Sequence, residues 1–269
     1  MVADSDALSA CCGYEEVQVV LASSATAAAG SCSATGREMT AGSGAAPLPT
    51  VEVAVVGSGP SALALSAALS GRLLHLRTGA AAHPEPSLAR RVGKLSPRVP
   101  LQDYSLPPLA MGLRARCLNP LAALVDELLW PALDSLGDHY TSLAEPQLHA
   151  QRVIPHLELG SRPPGGSWHE FADSVSTISP GCWMQLPGLS MHRHLGHQSK
   201  VTHRIPRQHV ADYYEKYFLQ MMEGNNFVEG RVFAVEACKS RAGAAEGCWL
   251  VKYLEKGRNA TEHSIVAKN

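Results

Sequence analysis

The chain has 269 residues, of which 45% are hydrophobic, so it can bury at least one sizeable core. Its 23 basic and 24 acidic residues give a net charge of -1, which excludes the strongly basic surface that binds nucleic acid or anionic membranes. The longest nearly apolar run, residues 61–71, is shorter than the roughly 20 residues that span a bilayer. We therefore expect a small-molecule cofactor or a protein as partner, and neither nucleic acid nor a membrane.

The cysteines and the N-terminal charges indicate a compartment. Seven cysteines without a CxxC pair argue against a disulfide framework and favour a reducing environment. Asp4, Asp6, Glu15 and Glu16 occupy the region where a secretory signal needs positive charge. We predict an intracellular, cytoplasmic protein.

The first 48 residues differ in composition from the rest. They are rich in Ala, Ser, Gly and Thr and contain few large apolar groups. Such a segment buries too little surface to offset the entropy of ordering it, which predicts a disordered leader over residues 1–48. A folded domain is predicted over residues 49–269.

The folded part is predicted to begin with a strand, a glycine turn and a helix. Residues 50–56 form a β-branched run typical of a buried parallel strand, and a helix follows to about Leu69, where Gly71 ends it. The turn Gly57-Ser58-Gly59-Pro60-Ser61-Ala62 fits G-x-G-x-x-G/A. In this pattern the first glycine makes the tight turn, the second lets the backbone approach a pyrophosphate, and the helix N-terminus supplies N–H donors. The alternative is a tight turn without a ligand.

The acidic residue that binds a ribose about 20 positions after such a turn is absent. A short strand over residues 73–76 leads instead to Arg77. Arg77, helped by Arg72, favours a 2′-phosphate and NADP(H), or else both arginines face solvent. The turn alone leaves FAD and NADP(H) open as ligands.

The elements that follow can be predicted in chain order. Residues 83–108 are punctuated by prolines and read as a loop with one short helix. Asn119 can cap a helix that begins at Pro120 and stops at Pro131. Further predicted elements are a strand over residues 152–160, a helix over 207–222, and two or three antiparallel strands in the remainder.

Three further short sequence patterns contain residues that are common in binding or catalytic sites. Gly165-Gly166-Ser167-Trp168-His169 combines close backbone approach with an aromatic stacking surface, or is an aromatic after a turn. His192, His194 and His197 have the H-x-H-x-x-H spacing of a dinuclear hydrolase, but a solvated loop fits better because Gly196 stands where that motif has aspartate. The tyrosines of the 207–222 helix, Tyr213, Tyr214 and Tyr217, are interpreted as core.

Taken in order, a set of segments between residues 51 and 269 resembles the oxidative-stress-induced growth inhibitor family, relatives of class B flavoprotein monooxygenases and ornithine N-hydroxylases. The segments are VVGSGPSALALSAALSG, HPEPSL, LNPLAALVDELLWP, VIPHLELGSRPPGGSWHEF, SVSTISPGCWMQLPGL, ADYYEKYF and NNFVEGRVFAVEA.

This resemblance implies a Rossmann-like α/β fold with a parallel sheet, a small antiparallel appendage and a partial FAD/NAD(P)-binding domain over residues 49–269. The implied FAD site comprises Gly57, Ser58, Gly59, Pro60, Ser61, Ala62, Gly166, Trp168, His169, Met184, Gln185 and Val232. Family members use NADPH to reduce the flavin and oxygen to form a flavin hydroperoxide. The resemblance also implies a C-terminally shortened chain, inactive alone, because no complete NADPH domain fits before Asn269.

The leading hypothesis is thus an FAD-binding, monooxygenase-like protein linked to growth inhibition and cell death under oxidative stress. The alternative is a non-catalytic regulatory or interaction protein that keeps the dinucleotide-binding scaffold. A metal-dependent hydrolase that uses the three histidines is a remote third hypothesis.

Overall fold

A computed structural model gives the fold. It describes residues 19–20, 48–79, 83–113, 118–131, 142–196, 203–222, 226–238, 248–257 and 261–268. The leader predicted over residues 1–48 lies outside the described residues, apart from 19–20 and 48.

Seven strands form the main sheet. Their bounds are β1 Val19–Val20, β2 Thr50–Val51, β3 Val53–Val56, β6 His156–Gly160, β7 Phe227–Ala237, β8 Trp249–Glu255 and β9 Thr261–Ala267. Their spatial order is β1-β3-β6-β7-β8-β9-β2. β3, β6 and the start of β7 are parallel neighbours, and β7, β8 and β9 continue as an antiparallel meander. One residue separates β2 from β3 in the chain, yet β2 pairs with β9 at one end of the sheet and β3 pairs near the other end. The sheet is therefore curled.

Helix α1, Pro60–Leu69, packs on the parallel strands. Pro60 suits the first helical position because its fixed φ matches a helix and its missing N–H costs no hydrogen bond there. The helix ends before Gly71, whose φ of 80° is left-handed. Ala62 is fully buried beside Val53 and Val55. Small residues on this face let the helix approach the sheet closely, as the sequence predicted.

A buried polar column crosses the contact between α1 and β6. Ser66 lies on α1 and Ser70 is the residue that caps its C-terminus, and His156 and Glu158 share one face of β6. Within the described residues, both serine hydroxyls, His156 Nε2 and both Glu158 carboxylate oxygens lack a hydrogen-bond partner. Burial raises the pKa of Glu158 to about 7, and the nearby Ser66 hydroxyl opposes that rise.

A second layer is built on a two-stranded antiparallel sheet of β4, Arg72–Leu76, and β5, Ala144–Leu148. Helices α2 Pro86–Val92, α3 Pro107–Ala110 and α4 Pro120–Leu129 cover it. The side chain of Asn119 accepts from the N–H groups of Leu121 and Ala122, so the predicted cap of α4 is confirmed. Leu88, Leu124 and Leu128 are buried here, each contributing about 1.5–3 kcal/mol.

The largest cluster of buried side chains surrounds helix α6, Arg207–Met221, with the short helix α5, Met191–Leu195, beside it. Tyr213, Tyr214 and Tyr217 are at most 2% exposed, so their interpretation as core residues is confirmed. No described helix is long and apolar enough to cross a membrane.

The arrangement of β4 differs from the Rossmann expectation. A doubly wound fold places the strand after the first helix beside the first strand, in parallel. Here the strand itself is present, but it pairs antiparallel with β5 in the separate sheet. The described fold is therefore mixed α/β, with a parallel centre in the large sheet and a small antiparallel sheet beside it.

Candidate functional site

The first glycine turn joins β3 to α1 and leaves the helix N-terminus open. Gly57 has a φ of 123°, and its N–H donates to the carbonyl of Leu159 on β6 at 2.8 Å. Gly59 caps the helix without a side-chain hydrogen bond, and a methyl group added there would meet no atom within 4 Å. The N–H groups of Ser61 and Ala62 precede the first intrahelical bond, so they are free to bind an anion.

The second glycine segment packs directly against this turn. The N–H of Gly165 donates to the carbonyl of Ser58 at 2.7 Å. Gly166 has a φ of 60°, and a Cβ atom there would lie 3.3 Å from the nitrogen of Gly59. Only glycine allows both this conformation and this approach. The two segments that the sequence singled out, about 100 residues apart, thus form one structural unit.

The aromatic end of the second segment rests on α6. Trp168 and His169 lie in the 3₁₀ turn Gly166–His169. The Trp168 ring meets Phe171 edge-on with centroids 5.3 Å apart, and its carbonyl accepts from Arg207. His169 Nε2 is 2.9 Å from the carbonyl of Pro164. These contacts fix the orientation of the turn beside the helix N-terminus.

The pair Met184-Gln185 is interior. Met184 is 9% and Gln185 is 5% exposed. The Tyr214 hydroxyl donates to the carbonyl of Met184 at 2.9 Å, and Gln185 Oε1 accepts from the N–H of Met191. The Cβ of Tyr214 also lies against Gly165. Tyr214 therefore links the Met-Gln segment to the second glycine segment.

A shallow cleft of about 280 Å³ opens beside the turn. It begins at Ser161 and Arg162, directly after β6, and continues along β7 to Gly230 and Arg231. Val232 follows on the same strand and packs on the cluster inside the curled sheet. Ligands of parallel sheets bind at the carboxyl ends of the strands, which is where this cleft lies. Its charged lining is mixed: Arg231 lies beside Glu255, and Arg162 and Lys256 are ion-paired with Glu170 and Glu229.

Arg77 does not join this group. Its side chain forms an ion pair with Glu145 at 3.4 Å, and both side chains are nearly half exposed. Its N–H donates to the carbonyl of Leu143 beside the small sheet. The geometry favours the interpretation of Arg77 as a solvent-facing residue over a ribose or 2′-phosphate ligand.

The histidine hypothesis gains no geometric support. His192 and His194 lie on α5, whereas His197 lies outside the described residues. His194 meets Tyr213 edge-on with ring centroids 5.5 Å apart, and burial lowers its pKa, with a further contribution from Lys216. Among the described residues, no three His, Cys, Asp or Glu side chains are placed to hold a metal ion.

The geometry can be tested against an FAD-type group. The open space before Gly59 and the first-turn N–H groups match a pyrophosphate, which needs close backbone approach and oriented donors. The ribose position does not match, because β4 and Arg77 belong to the small sheet. The phosphate half of the site fits, and a ribose ligand would have to come from another element.

Two contributors to the site were missed by the sequence interpretation. Gly160 closes the end of β6 against the turn, since a Cβ there would lie 2.6 Å from Ser58 Oγ. Tyr214 joins the Met-Gln segment to Gly165 through one side chain. A glycine that ends a buried strand is a readable signal, whereas nothing in the sequence distinguishes Tyr214 from its neighbouring tyrosines.

The fold and the paired glycine segments define a class: a mixed α/β protein with a glycine-rich strand-turn-helix. Comparison with curated proteins adds a family. The chain is 37% identical to oxidative stress-induced growth inhibitor 1 of Mus musculus over 203 residues, which is 74% of this chain and 41% of that protein. It is 37% identical to oxidative stress-induced growth inhibitor 2 of Homo sapiens over 182 residues, 67% and 35% of the two chains.

Growth inhibitor 1 of Homo sapiens is 35% identical over 188 residues, 69% of this chain and 38% of that protein. These matches support the oxidative stress-induced growth inhibitor family that the sequence segments resemble. The matched part of the chain thus spans well under half the length of these relatives. No protein-family profile matches the chain, and no solved structure matches it at a significant level.

Proposed function

We propose that this chain binds FAD at the paired glycine segments and serves in growth inhibition under oxidative stress. One observation carries the binding proposal: Gly166 packs on Gly59 while the space in front of the α1 N-terminus stays open. The names of the relatives, all oxidative stress-induced growth inhibitors, support the biological role.

Each group of residues has a separate task in this proposal. The N–H groups of Ser61 and Ala62 bind the pyrophosphate charge, and the helix dipole adds to that attraction. Gly57 and Gly59 keep side chains out of the phosphate space. Trp168 and His169 form the wall on the ring side, held there by α6.

The protein part of the site binds and orients the ligand and supplies no nucleophile. A bound flavin would supply the redox chemistry. NADPH-dependent monooxygenation belongs to the proposal only for a longer form of the protein, because the described residues contain one glycine turn of this type, at Gly57–Ala62.

A second candidate is a non-catalytic interaction protein that keeps the scaffold without the cofactor. The ion pair between Arg77 and Glu145 favours it, because the acidic ribose ligand of dinucleotide sites is replaced by a cation with a partner elsewhere. The two candidates differ in whether the purified chain takes up FAD.

A fluorescence titration of the purified chain with FAD separates them. The proposal expects saturable binding that is lost in Gly59→Ala, because the added methyl fills the phosphate space while touching no protein atom. Ser61→Ala is the matched control: it changes an exposed side chain on the same turn but keeps the N–H donor. Equal titration curves for the wild-type chain and Gly59→Ala, or no uptake by the wild-type chain, would reject FAD binding at this turn.

The biological role needs its own measurement. Expression of the chain in peroxide-treated cells is expected to slow growth relative to cells that carry an empty vector. Growth that is unchanged by expression would reject the role, whatever the titration shows.

A further inference from the structure

Two cysteines lie at the loop end of the β7–β8 hairpin, and neither belongs to the glycine segments. Cys238 directly follows β7 and Cys248 directly precedes β8. The N–H of Cys238 donates to the carbonyl of Cys248 at 2.8 Å, which continues the register of the pair Ala237 and Trp249. The two cysteines are therefore direct cross-strand neighbours.

This placement satisfies the geometric requirement for a disulfide. Directly opposite residues that exchange hydrogen bonds in an antiparallel pair have Cα atoms about 5.5 Å apart. Disulfides join Cα atoms that are about 4.4–6.8 Å apart. The register thus places the two Cα atoms within the range of separations that disulfides join.

The chemistry of the two thiols is also suited to oxidation. Both cysteines are reduced and partly exposed, whereas Cys182 is buried in the cluster around α6. The Cys238 thiol hydrogen-bonds to Cys248, and this contact, more than burial, raises the pKa of Cys238 to about 11. This contact brings the two sulfur atoms together, so a sulfenic acid formed on either cysteine has the other as its resolving thiol.

We propose that Cys238 and Cys248 form a reversible dithiol–disulfide site whose oxidant is hydrogen peroxide. The inference does not depend on FAD binding, since neither cysteine belongs to the glycine segments. The disulfide would link the two strands at the loop end of the hairpin, where the ladder between β7 and β8 ends.

The reaction balances in two steps. The thiolate of one cysteine attacks one peroxide oxygen, the O–O bond breaks, and its sulfenic acid and hydroxide form. The sulfur of the other cysteine then attacks the sulfenic sulfur, the S–O bond breaks and the S–S bond forms. With the thiol protons counted, two thiols and one peroxide give one disulfide and two waters.

Peptide mapping of the full chain tests the site. The reduced protein is treated with hydrogen peroxide, alkylated and cleaved by trypsin without reductant. Cleavage after Arg231, Lys239, Arg241 and Lys252 places the cysteines in separate peptides, residues 232–239 and 242–252. We expect these two peptides joined, with a mass about 2 Da below their sum because two thiol hydrogens are lost, and we expect dithiothreitol to separate them.

Two variants and one internal control sharpen the result. Cys238→Ser and Cys248→Ser are each expected to stop at the sulfenic acid of the remaining cysteine, because the resolving thiol is gone; Cys182 should stay alkylatable only after unfolding. The wild-type map is informative even if a variant folds poorly. The proposal fails if both cysteines are still free to be alkylated after the peroxide treatment. It also fails if either cysteine forms a disulfide with a third cysteine, or if both are oxidised to sulfinic acid without being joined.

Discussion

Glu158 offers a measurable consequence of the way α1 packs on β6. Its side chain is 1% exposed and both carboxylate oxygens lack a hydrogen-bond partner among the described residues. Burial raises its pKa from 4.5 to about 7, with Ser66 acting in the opposite sense. Because the folded state holds this proton more tightly than the unfolded chain, the stability contributed by Glu158 falls as the pH rises from about 4.5 to 7.

The size of the effect follows from the shift. A difference of roughly 2.5 pKa units, at about 1.36 kcal/mol each, corresponds to about 3 kcal/mol of unfolding free energy. Glu158→Gln removes the titration, so its free energy of unfolding relative to the wild-type chain should rise by about 3 kcal/mol between pH 4.5 and pH 8. Taking the difference between pH values cancels the pH-independent cost of burying the amide.

The assay is urea denaturation followed by tryptophan fluorescence at both pH values. His156 shares the column, and burial lowers its pKa, so its own contribution to stability rises with pH and opposes that of Glu158 in the wild-type profile. Subtracting the Glu158→Gln profile removes this contribution. If Glu158→Gln and the wild-type chain differ by the same amount at pH 4.5 and pH 8, the carboxyl does not titrate as the buried geometry requires.

Three further substitutions test the contacts of the site. Gly160→Ala should destabilise the chain by about 1–3 kcal/mol, because its methyl would collide with Ser58 at the glycine turn; an unchanged urea midpoint would contradict the close approach. Tyr214→Phe should cost about 1–3 kcal/mol in thermal or urea unfolding, because it leaves a buried main-chain carbonyl unpaired, and a neutral result would contradict the hydrogen bond from its hydroxyl to Met184. Arg77→Ala should change stability by less than about 1 kcal/mol, since its ion pair with Glu145 is exposed. The same substitution should leave the FAD affinity unchanged, and a loss of affinity would show that Arg77 is a ribose or phosphate ligand.

Local signals in the sequence predicted local structure well. The strand-turn-helix around Gly57, the cap at Asn119 and the α6 helix were all readable, because β-branched runs, capping residues and helical spacing act within a few residues. The three C-terminal strands were confirmed for the same reason. The end of α4 was predicted at Pro131 and is found at Leu129, within the usual uncertainty of helix ends.

Long-range placement was less accessible. The strand that precedes Arg77 was predicted, but its partner is β5 rather than β3, and strand pairing depends on residues far apart in the sequence. The contact between Gly59 and Gly166 and the cross-strand pair Cys238 and Cys248 are likewise products of the fold. The alternation in β6 places Glu158 on the same face as His156, yet nothing local indicates that α1 buries that face.

The most direct test of the paired-glycine site is a set of ¹H–¹⁵N correlation spectra of the labelled chain recorded with increasing FAD. We predict that the amide signals of Ser61, Ala62 and Gly166 shift together and saturate, and that Gly59→Ala abolishes these shifts. Saturating shifts confined to other regions, or none at all at millimolar FAD, would contradict the claim that the two glycine segments form one dinucleotide-binding site.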